Sequence, residues 1–395
     1  MKKFGQALKL HWKTSGLVAV VLLFVGLLLV YRLGSLVGGL SPQEASQQAF
    51  SSSWHNIVHN PLNAPLTVLQ WIALTLSPHH GQTITRLPSS VFGILTLLAF
   101  AYILRHWYGL RTAVAGTVLF MCSSWFLHVS RLATPDILYL WAIPTLLAAQ
   151  LLWQRHASRY GSFWAAAVAG LLLYIPGIVW PFLVVLLLQP QLIISGWRRL
   201  ERWWLRTALA LFCLLLLLPL AYAMWCTPTL FQSWLGLPHA FESGIHIVKR
   251  LIDSITFFVY RGPLMPMLWL DKVPILDIFA VVMLLLGGIF YGRHYRLLRT
   301  RLLLGLFLVG SILFALGGPV VFSLLVPLGY FVVAAGVGYL LHEWLHVFPR
   351  NPLARSIGFG LLSAAIILSC AYNLRAYFVA WPHSRPTIST FSQHR

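Results

Sequence analysis

The chain has 395 residues, of which 59% are hydrophobic and 9% charged, and its net charge is +20. Soluble globular domains usually carry about a quarter charged residues, so this composition excludes an ordinary soluble protein. The basic residues lie in short clusters between long apolar runs, where they act as signals of membrane topology. We therefore expect no nucleic-acid partner.

Apolar runs long enough for membrane-spanning helices recur along the whole chain. A helix needs about 20 residues to cross a hydrocarbon core, and these runs lack the residue alternation of a membrane β-barrel. The expected fold class is an all-α integral membrane protein with about eleven transmembrane helices and in-plane helices in two outer loops. In chain order, the predicted spans are 16–33, 88–105, 112–128, 136–152, 161–175, 177–195, 207–226, 274–292, 302–316, 320–341 and 356–372.

The distribution of basic residues predicts the orientation of the chain. The N-terminus is basic and runs into an apolar stretch without a small-residue cleavage site, which indicates an uncleaved first span. With the N-terminus in the cytoplasm, 18 of the 28 basic residues fall on the inner side, as expected for a multi-pass protein of the inner membrane. The chain then divides into an N-terminal module (1–226, with a first outer loop at 34–87), a second outer loop (227–273) and C-terminal spans (274–395).

The acidic residues lie mostly on the predicted outer side. Only two of the eight, Glu201 and Glu343, fall on the inner side. The outer side also carries both long loops, so we expect any chemistry there. The first outer carboxylate, Glu44, follows Ser41-Pro42, a pattern typical of a helix N-terminus. Glu44 is either a helix-capping residue or a catalytic base, and the sequence alone leaves the two roles equal.

Two histidines in the first outer loop, His55 and His59, have a spacing that a divalent metal can use on a helix. No third ligand is identifiable, and an interfacial pair is the alternative. The four cysteines of the chain lie in or beside apolar runs without CxxC spacing, which indicates neither a disulfide framework nor a zinc knuckle.

Further candidates lie at outer span ends and in the second loop. Arg86 precedes the second span, and Arg131 and Asp136 flank the junction between the third and fourth. The arginines could contact a phosphate and Asp136 could orient a metal or an acceptor; snorkelling and helix capping are the alternatives. In the second loop, aromatic residues alternate with basic ones, which suits either a substrate groove or an interfacial belt. The basic residues proposed to bind substrate in this loop are Lys249, Arg250 and Arg261.

These features together resemble the multi-span (C-type) glycosyltransferases that use polyprenyl-phosphate sugars, in particular the branch of protein mannosyltransferases and lipid A aminoarabinose transferases. The resemblance covers roughly residues 15–180 and depends on three motifs in the family's order and spacing. They are RLPS at 86–89 followed by Phe92-Gly93, Tyr108-Gly109 followed by Ala113, and SRLATPD at 130–136. The family carries an Asp-Glu pair in its first outer loop, and here Gln43-Glu44 stands in that place.

The resemblance implies a sugar donor on a polyprenyl phosphate that enters sideways from the lipid bilayer. The lipid phosphate leaves, and the cations at the outer surface stabilise its charge. A carboxylate base on the other side of the sugar carbon gives inversion; Glu44 is the predicted base and Asp136 an orienting residue or metal partner. The expected partners are this donor, membrane lipid and an acceptor of unknown class. A transporter or flippase, and a catalytically inactive relative that binds lipid, are the alternatives.

Overall fold

The computed structural model describes residues 24–77, 81–155, 159–192 and 202–392, and all regular elements in these ranges are helical. This confirms the expected all-α integral membrane fold. Six of the described helices are long and apolar enough to cross a membrane, and a bent helix pair makes a seventh candidate. The other predicted spans correspond to shorter apolar helices, and the part of the first span before residue 24 lies outside the described residues.

The helices are numbered in chain order. They are α1 (24–30), α2 (Pro42–Ser51), α3 (Trp54–His59), α4 (Ala64–Leu76), α5 (Gln82–Tyr108), α6 (Leu110–Cys122), α7 (Ser124–Arg131), α8 (Asp136–Arg155), α9 (Arg159–Leu172), α10 (Val179–Leu188), α11 (Trp203–Cys226), α12 (Thr229–Trp234), α13 (Gly244–Val259), α14 (Ile278–Arg293), α15 (Leu298–Ala315), α16 (Val326–Val347), α17 (Pro352–Arg375) and α18 (Arg385–Ser392). A 3₁₀ turn at Phe322–Leu324 precedes α16, and a π-helical turn at Ala376–Ala380 follows α17.

The predicted span 112–128 is broken in the middle. The axes of α6 and α7 differ by 62°. Ser123 between them has an extended backbone, and its hydroxyl accepts a hydrogen bond from the amide of Phe126. Ser123 is therefore an N-cap that starts a second helix in a new direction. All eight residues of α7 are buried, so this short helix runs through the interior of the protein.

The N-terminal and C-terminal helices share one core. Phe100 on α5 stacks on Phe331 on α16, with ring centroids 4.4 Å apart. Helices α14 and α16 approach closely because both present glycine at the crossing. A Cβ on Gly287 would lie 2.0 Å from the carbonyl oxygen of Val332, and one on Gly336 would lie 1.9 Å from that of Met283. Such contacts between small residues are a common way to pack helices in membranes.

Both predicted outer loops lie at the same end of the helical bundle as residue Asp136, and we call this the loop end. The first loop contains α2, α3 and α4, and the second contains α12 and α13, none of which qualifies as a span. The chain beyond α17 returns to the loop end, where Trp381 and Phe391 are buried. The indole of Trp381 donates a hydrogen bond to the carbonyl of Pro266 in the second loop (3.1 Å).

Candidate functional site

Helix α2 begins with a capping box that orients Glu44. The Ser41 hydroxyl accepts a hydrogen bond from the Glu44 amide (3.2 Å), and the Ser41 amide donates to Glu44 Oε2 (3.0 Å). The capping role expected as one alternative for Glu44 is therefore present. Glu44 is completely buried, whereas Gln43 is exposed on the same turn. The residue at the position that the family fills with aspartate is thus an exposed amide.

The carboxylate of Glu44 forms a bidentate ion pair with Arg86. Arg86 Nε lies 2.7 Å from Oε1, and Arg86 Nη2 lies 2.9 Å from Oε2. Oε1 also accepts a hydrogen bond from the amide of Ala133 (2.9 Å). Each carboxylate oxygen therefore accepts two hydrogen bonds from within the protein. Because a carboxylate has about four lone-pair positions, Glu44 has none left for an acceptor hydroxyl in this arrangement.

Arg86 lies inside α5, because this helix starts six residues before the predicted span, and the guanidinium points into the protein. Its side chain is 1% exposed. Besides the ion pair, Nη1 donates to the carbonyl of Leu33 (3.0 Å) and Nη2 to that of Gly39 (2.7 Å). The ring of Phe391 lies 5.9 Å from its Cζ. Arg86 thus joins the first loop to α5 and to the C-terminal segment.

Arg131 is also committed to contacts within the protein. It ends α7 and is buried, and its guanidinium donates to the carbonyls of Leu28 (2.7 Å) and Tyr31 (2.5 Å) at the end of α1. Its Cζ lies 5.2 Å from the ring of Tyr377 and 5.0 Å from that of Phe378. A cation beside the carbonyls of a helix C-terminus and two aromatic faces is favourably placed. The phosphate-binding role expected for Arg131 stays a prediction.

Of the two carboxylates predicted to be catalytic, Asp136 is the one that keeps acceptor capacity. It is the first residue of α8, three residues after Ala133, whose amide binds Glu44. The hydroxyl of Thr134 donates to Asp136 Oδ2 (3.1 Å). Among the described residues, no cation lies within ion-pair distance of Asp136. Asp136 is buried, with 8% of its surface exposed.

The structure therefore places four of the predicted site residues on adjacent segments at the loop end, and we call them the loop-end cluster: Glu44, Arg86, Arg131 and Asp136. Among the described residues, only Glu44 and Arg86 of these four form an ion pair or hydrogen bond with each other. The cations of the second loop show no hydrogen bond or ion pair to this cluster within the described residues. Lys249 and Arg261 are exposed, and Arg250 pairs with Glu242 at 2.7 Å on the surface. The roles predicted for all of them in donor binding stay predictions.

His55 and His59 lie on α3 as an exposed pair. Their Nε2 atoms are 3.0 Å apart and their ring centroids 4.2 Å apart. In the part of the chain that the structure describes, no three His, Cys, Asp or Glu residues lie close enough together to hold a metal ion. A divalent metal at this pair stays a prediction.

Sequence reasoning missed His128, which lies on α7 between Trp269, Tyr377 and Trp381. Its Nδ1 lies 2.5 Å from the carbonyl oxygen of Ser124, so Nδ1 carries the proton. Its Nε2 has no partner among the described residues, and His128 lines a cavity of about 30 Å³ together with Asp277. This volume suffices for an ordered water molecule. In the sequence, the only unusual feature of His128 is its position within an apolar run, and this feature is too common to identify a functional residue.

Two crystal structures of ArnT from Cupriavidus metallidurans resemble this chain. The apo structure has a TM-score of 0.57 and 14% sequence identity, and the alignment covers 96% of this chain and 77% of that one. The structure bound to undecaprenyl phosphate has a TM-score of 0.59 and 15% identity, with 95% and 77% covered. No protein-family model and no curated protein matches the sequence.

At this level of identity the similarity concerns the fold, and it extends over nearly all of the chain, well beyond the 15–180 region of the sequence motifs. The similarity confirms the multi-span helical fold expected from the sequence. The chain is therefore a multi-span membrane protein with an ArnT-like fold.

Proposed function

We propose that this protein is a membrane glycosyltransferase that takes its sugar from a polyprenyl-phosphate donor. The observation that carries the proposal is the ArnT-like fold over 95% of the chain, in a comparison structure that holds undecaprenyl phosphate. The loop end, with its carboxylates and exposed cations, would face the outer side of the inner membrane, and the N-terminus would lie in the cytoplasm. The chemical identity of the sugar and of the acceptor is left open by the proposal.

The bonding pattern supports a division of roles that differs from the one expected from the sequence. Asp136 retains acceptor capacity and is the better candidate for the base, whereas the carboxylate of Glu44 is saturated by Arg86, Ser41 and Ala133. Glu44, Arg86 and Arg131 would hold the first loop, α5 and α7 in place. Lys249 and Arg261, which are exposed at the loop end, would contact the lipid phosphate.

In the proposed reaction, Asp136 accepts the proton of an acceptor hydroxyl as its oxygen attacks the anomeric carbon of the donor. The bond from that carbon to the phosphate oxygen breaks, and the electron pair leaves with the polyprenyl phosphate. Nearby cations stabilise the charge that develops on this leaving group. Attack from the side opposite the phosphate inverts the configuration of the sugar carbon.

One observation favours a non-catalytic lipid-binding protein as the second candidate. Gln43 occupies the position of the family aspartate and is exposed, and the adjacent Glu44 is fully bonded. Such a protein would bind the donor lipid without consuming it. The transporter or flippase alternative gains no support from the ArnT-like fold.

The experiment that tests the proposal uses the full-length protein in liposomes with a radiolabelled undecaprenyl-phosphate sugar and a cell-envelope extract as the source of acceptor. We expect the label to move to a component of the extract while undecaprenyl phosphate is released. Binding of an intact donor without release would establish the non-catalytic alternative. Uptake of a labelled solute without release would establish a transporter.

A further inference from the structure

A second cavity, remote from the loop-end cluster, lies among α8, α9, α10 and α11. Its volume is about 360 Å³, and apolar side chains form nearly all of its lining. Two of the helices that form it, α8 and α11, are candidate membrane spans. The residues that line it come from the middle of α11 and from the second half of α8, so the cavity lies within the spanning part of both helices. Its lining includes Leu146, Ala166, Ala169, Val185, Leu209 and Leu216.

One polar side chain in this lining, Gln150 on α8, has an unsatisfied hydrogen-bond acceptor. Gln150 is 7% exposed, and its Oε1 has no partner among the described residues. The indole N–H of Trp153, which also lines the cavity, already donates to the carbonyl of Leu192 (3.0 Å). A buried amide oxygen without a donor is unfavourable because it has lost its hydrogen bonds to water. A ligand with a hydrogen-bond donor would replace them.

Helix α11, which forms one side of the cavity, lies at the periphery of the bundle. Only 11% of the most apolar 18-residue stretch of α11 is buried inside the protein, so most of the surface of this helix faces outwards. It contacts α9 closely at Gly170, where a Cβ would lie 1.7 Å from Leu216 Cδ2. Apolar cavities of about 150 Å³ stay dry and bind small hydrocarbons. A cavity of more than twice that volume, bordered by a peripheral helix, can admit a hydrocarbon chain from the bilayer.

We propose that this cavity binds a lipid whose hydrocarbon chain carries a free hydroxyl group, with the O–H donating to Gln150 Oε1. The apolar lining would contact the chain, and Gln150 would select an alcohol over a hydrocarbon of the same shape. An isoprenoid alcohol and a monoacylglycerol share this chemistry. The proposal does not depend on glycosyl transfer, because the cavity and the loop-end cluster share no residue.

The test measures the affinity of the purified protein for farnesol, farnesyl methyl ether and 1-monooleoylglycerol by native mass spectrometry. We expect farnesol to bind about tenfold more tightly than its ether, which cannot donate a hydrogen bond. In Gln150→Leu the two should bind equally. The arm with 1-monooleoylglycerol decides whether the chain is isoprenoid or acyl, since the preferred class binds more tightly.

Two further variants test whether the lipid binds in this cavity. Ala166→Phe fills the cavity and should abolish binding of both alcohols, whereas Ala364→Phe makes the same change on the exposed surface of α17 and should leave binding unchanged. Equal affinity of the wild type for farnesol and its ether would overturn the proposal, because it would show nonspecific filling of an apolar space. Unchanged binding in Ala166→Phe would overturn it as well.

Discussion

At the scale of single residues, the small number of charged residues made the candidate site residues easy to find in the sequence. A chain with eight acidic residues draws attention to each of them, and Glu44, Arg86, Arg131 and Asp136 do lie on adjacent segments. Their bonding could not be predicted, because Glu44 and Arg86 are 42 positions apart and the Ala133 amide is 89 positions from Glu44. The carboxylate is saturated only because the fold places Arg86 of α5, and Ala133 in the link between α7 and α8, beside the start of α2.

The ion pair between Glu44 and Arg86 predicts a large effect on stability. Glu44→Gln would leave the Arg86 guanidinium buried without a countercharge, so we expect the free energy of unfolding to fall by about 3 kcal/mol. Glu242→Gln, which breaks the exposed pair with Arg250 (side chains 35% and 44% exposed), should change it by less than about 1 kcal/mol. The measurement is thermal unfolding in detergent; equal stability of the two variants would contradict the structural role of Glu44.

Arg131 should not tolerate lysine. The planar guanidinium of Arg131 donates to two carbonyls at the end of α1 and lies against the rings of Tyr377 and Phe378. A lysine ammonium is a compact, non-planar group that cannot reproduce both kinds of contact. We expect Arg131→Lys to destabilise the protein by about 2 kcal/mol. Arg261→Lys, at an exposed position, should unfold at the wild-type temperature. If both variants unfold at the wild-type temperature, the buried contacts of Arg131 contribute nothing to the stability of the protein.

At the scale of helices, hydropathy located the apolar segments but not their breaks and starts. The span 112–128 reads as one apolar run, yet Ser123 caps a new helix and turns the chain by 62°. A serine inside an apolar run is ordinary in sequence and acquires meaning only from its backbone conformation. Helix α5 likewise begins at Gln82, six residues before the predicted span, because four of its first five residues are polar and give no hydropathy signal.

Adjacent glycines on α14 provide a matched test of helix packing. A methyl group at Gly287 would collide with the backbone of α16, whereas one at Gly288 would meet nothing within 4 Å. We expect Gly287→Ala to lower the free energy of unfolding by about 1–3 kcal/mol. Gly288→Ala should be neutral or slightly stabilising because alanine favours the helix. Similar unfolding temperatures for the two variants would show that α14 and α16 do not cross at Gly287.

At the scale of the whole molecule, composition and the distribution of apolar runs were enough to predict a polytopic helical membrane protein. The second half of the chain offered only hydropathy, and its packing onto the first half through contacts such as Phe100 with Phe331 became visible in the structure. The fold is shared with ArnT at 14–15% identity. So few identical residues can maintain a fold because apolar side chains of similar volume substitute for one another in a core.

The proposed orientation predicts which cysteines an impermeant reagent can label. In a variant without the four native cysteines, Lys249→Cys at the loop end should react with a membrane-impermeant maleimide in intact cells. Arg350→Cys, which is exposed at the other end of the bundle, should react only after the cells are lysed. The reverse pattern would place the loop end in the cytoplasm and contradict the proposed topology.

The most direct test of the account compares Asp136→Asn with Asp271→Asn in donor binding and in turnover. Asp271 is an exposed carboxylate in the second loop with a left-handed backbone that asparagine tolerates. We predict that Asp136→Asn binds the polyprenyl-phosphate sugar with wild-type affinity but transfers it at least about a hundredfold more slowly, as expected for loss of a general base. Asp271→Asn should match the wild type in both. Transfer at the wild-type rate by Asp136→Asn would contradict the account.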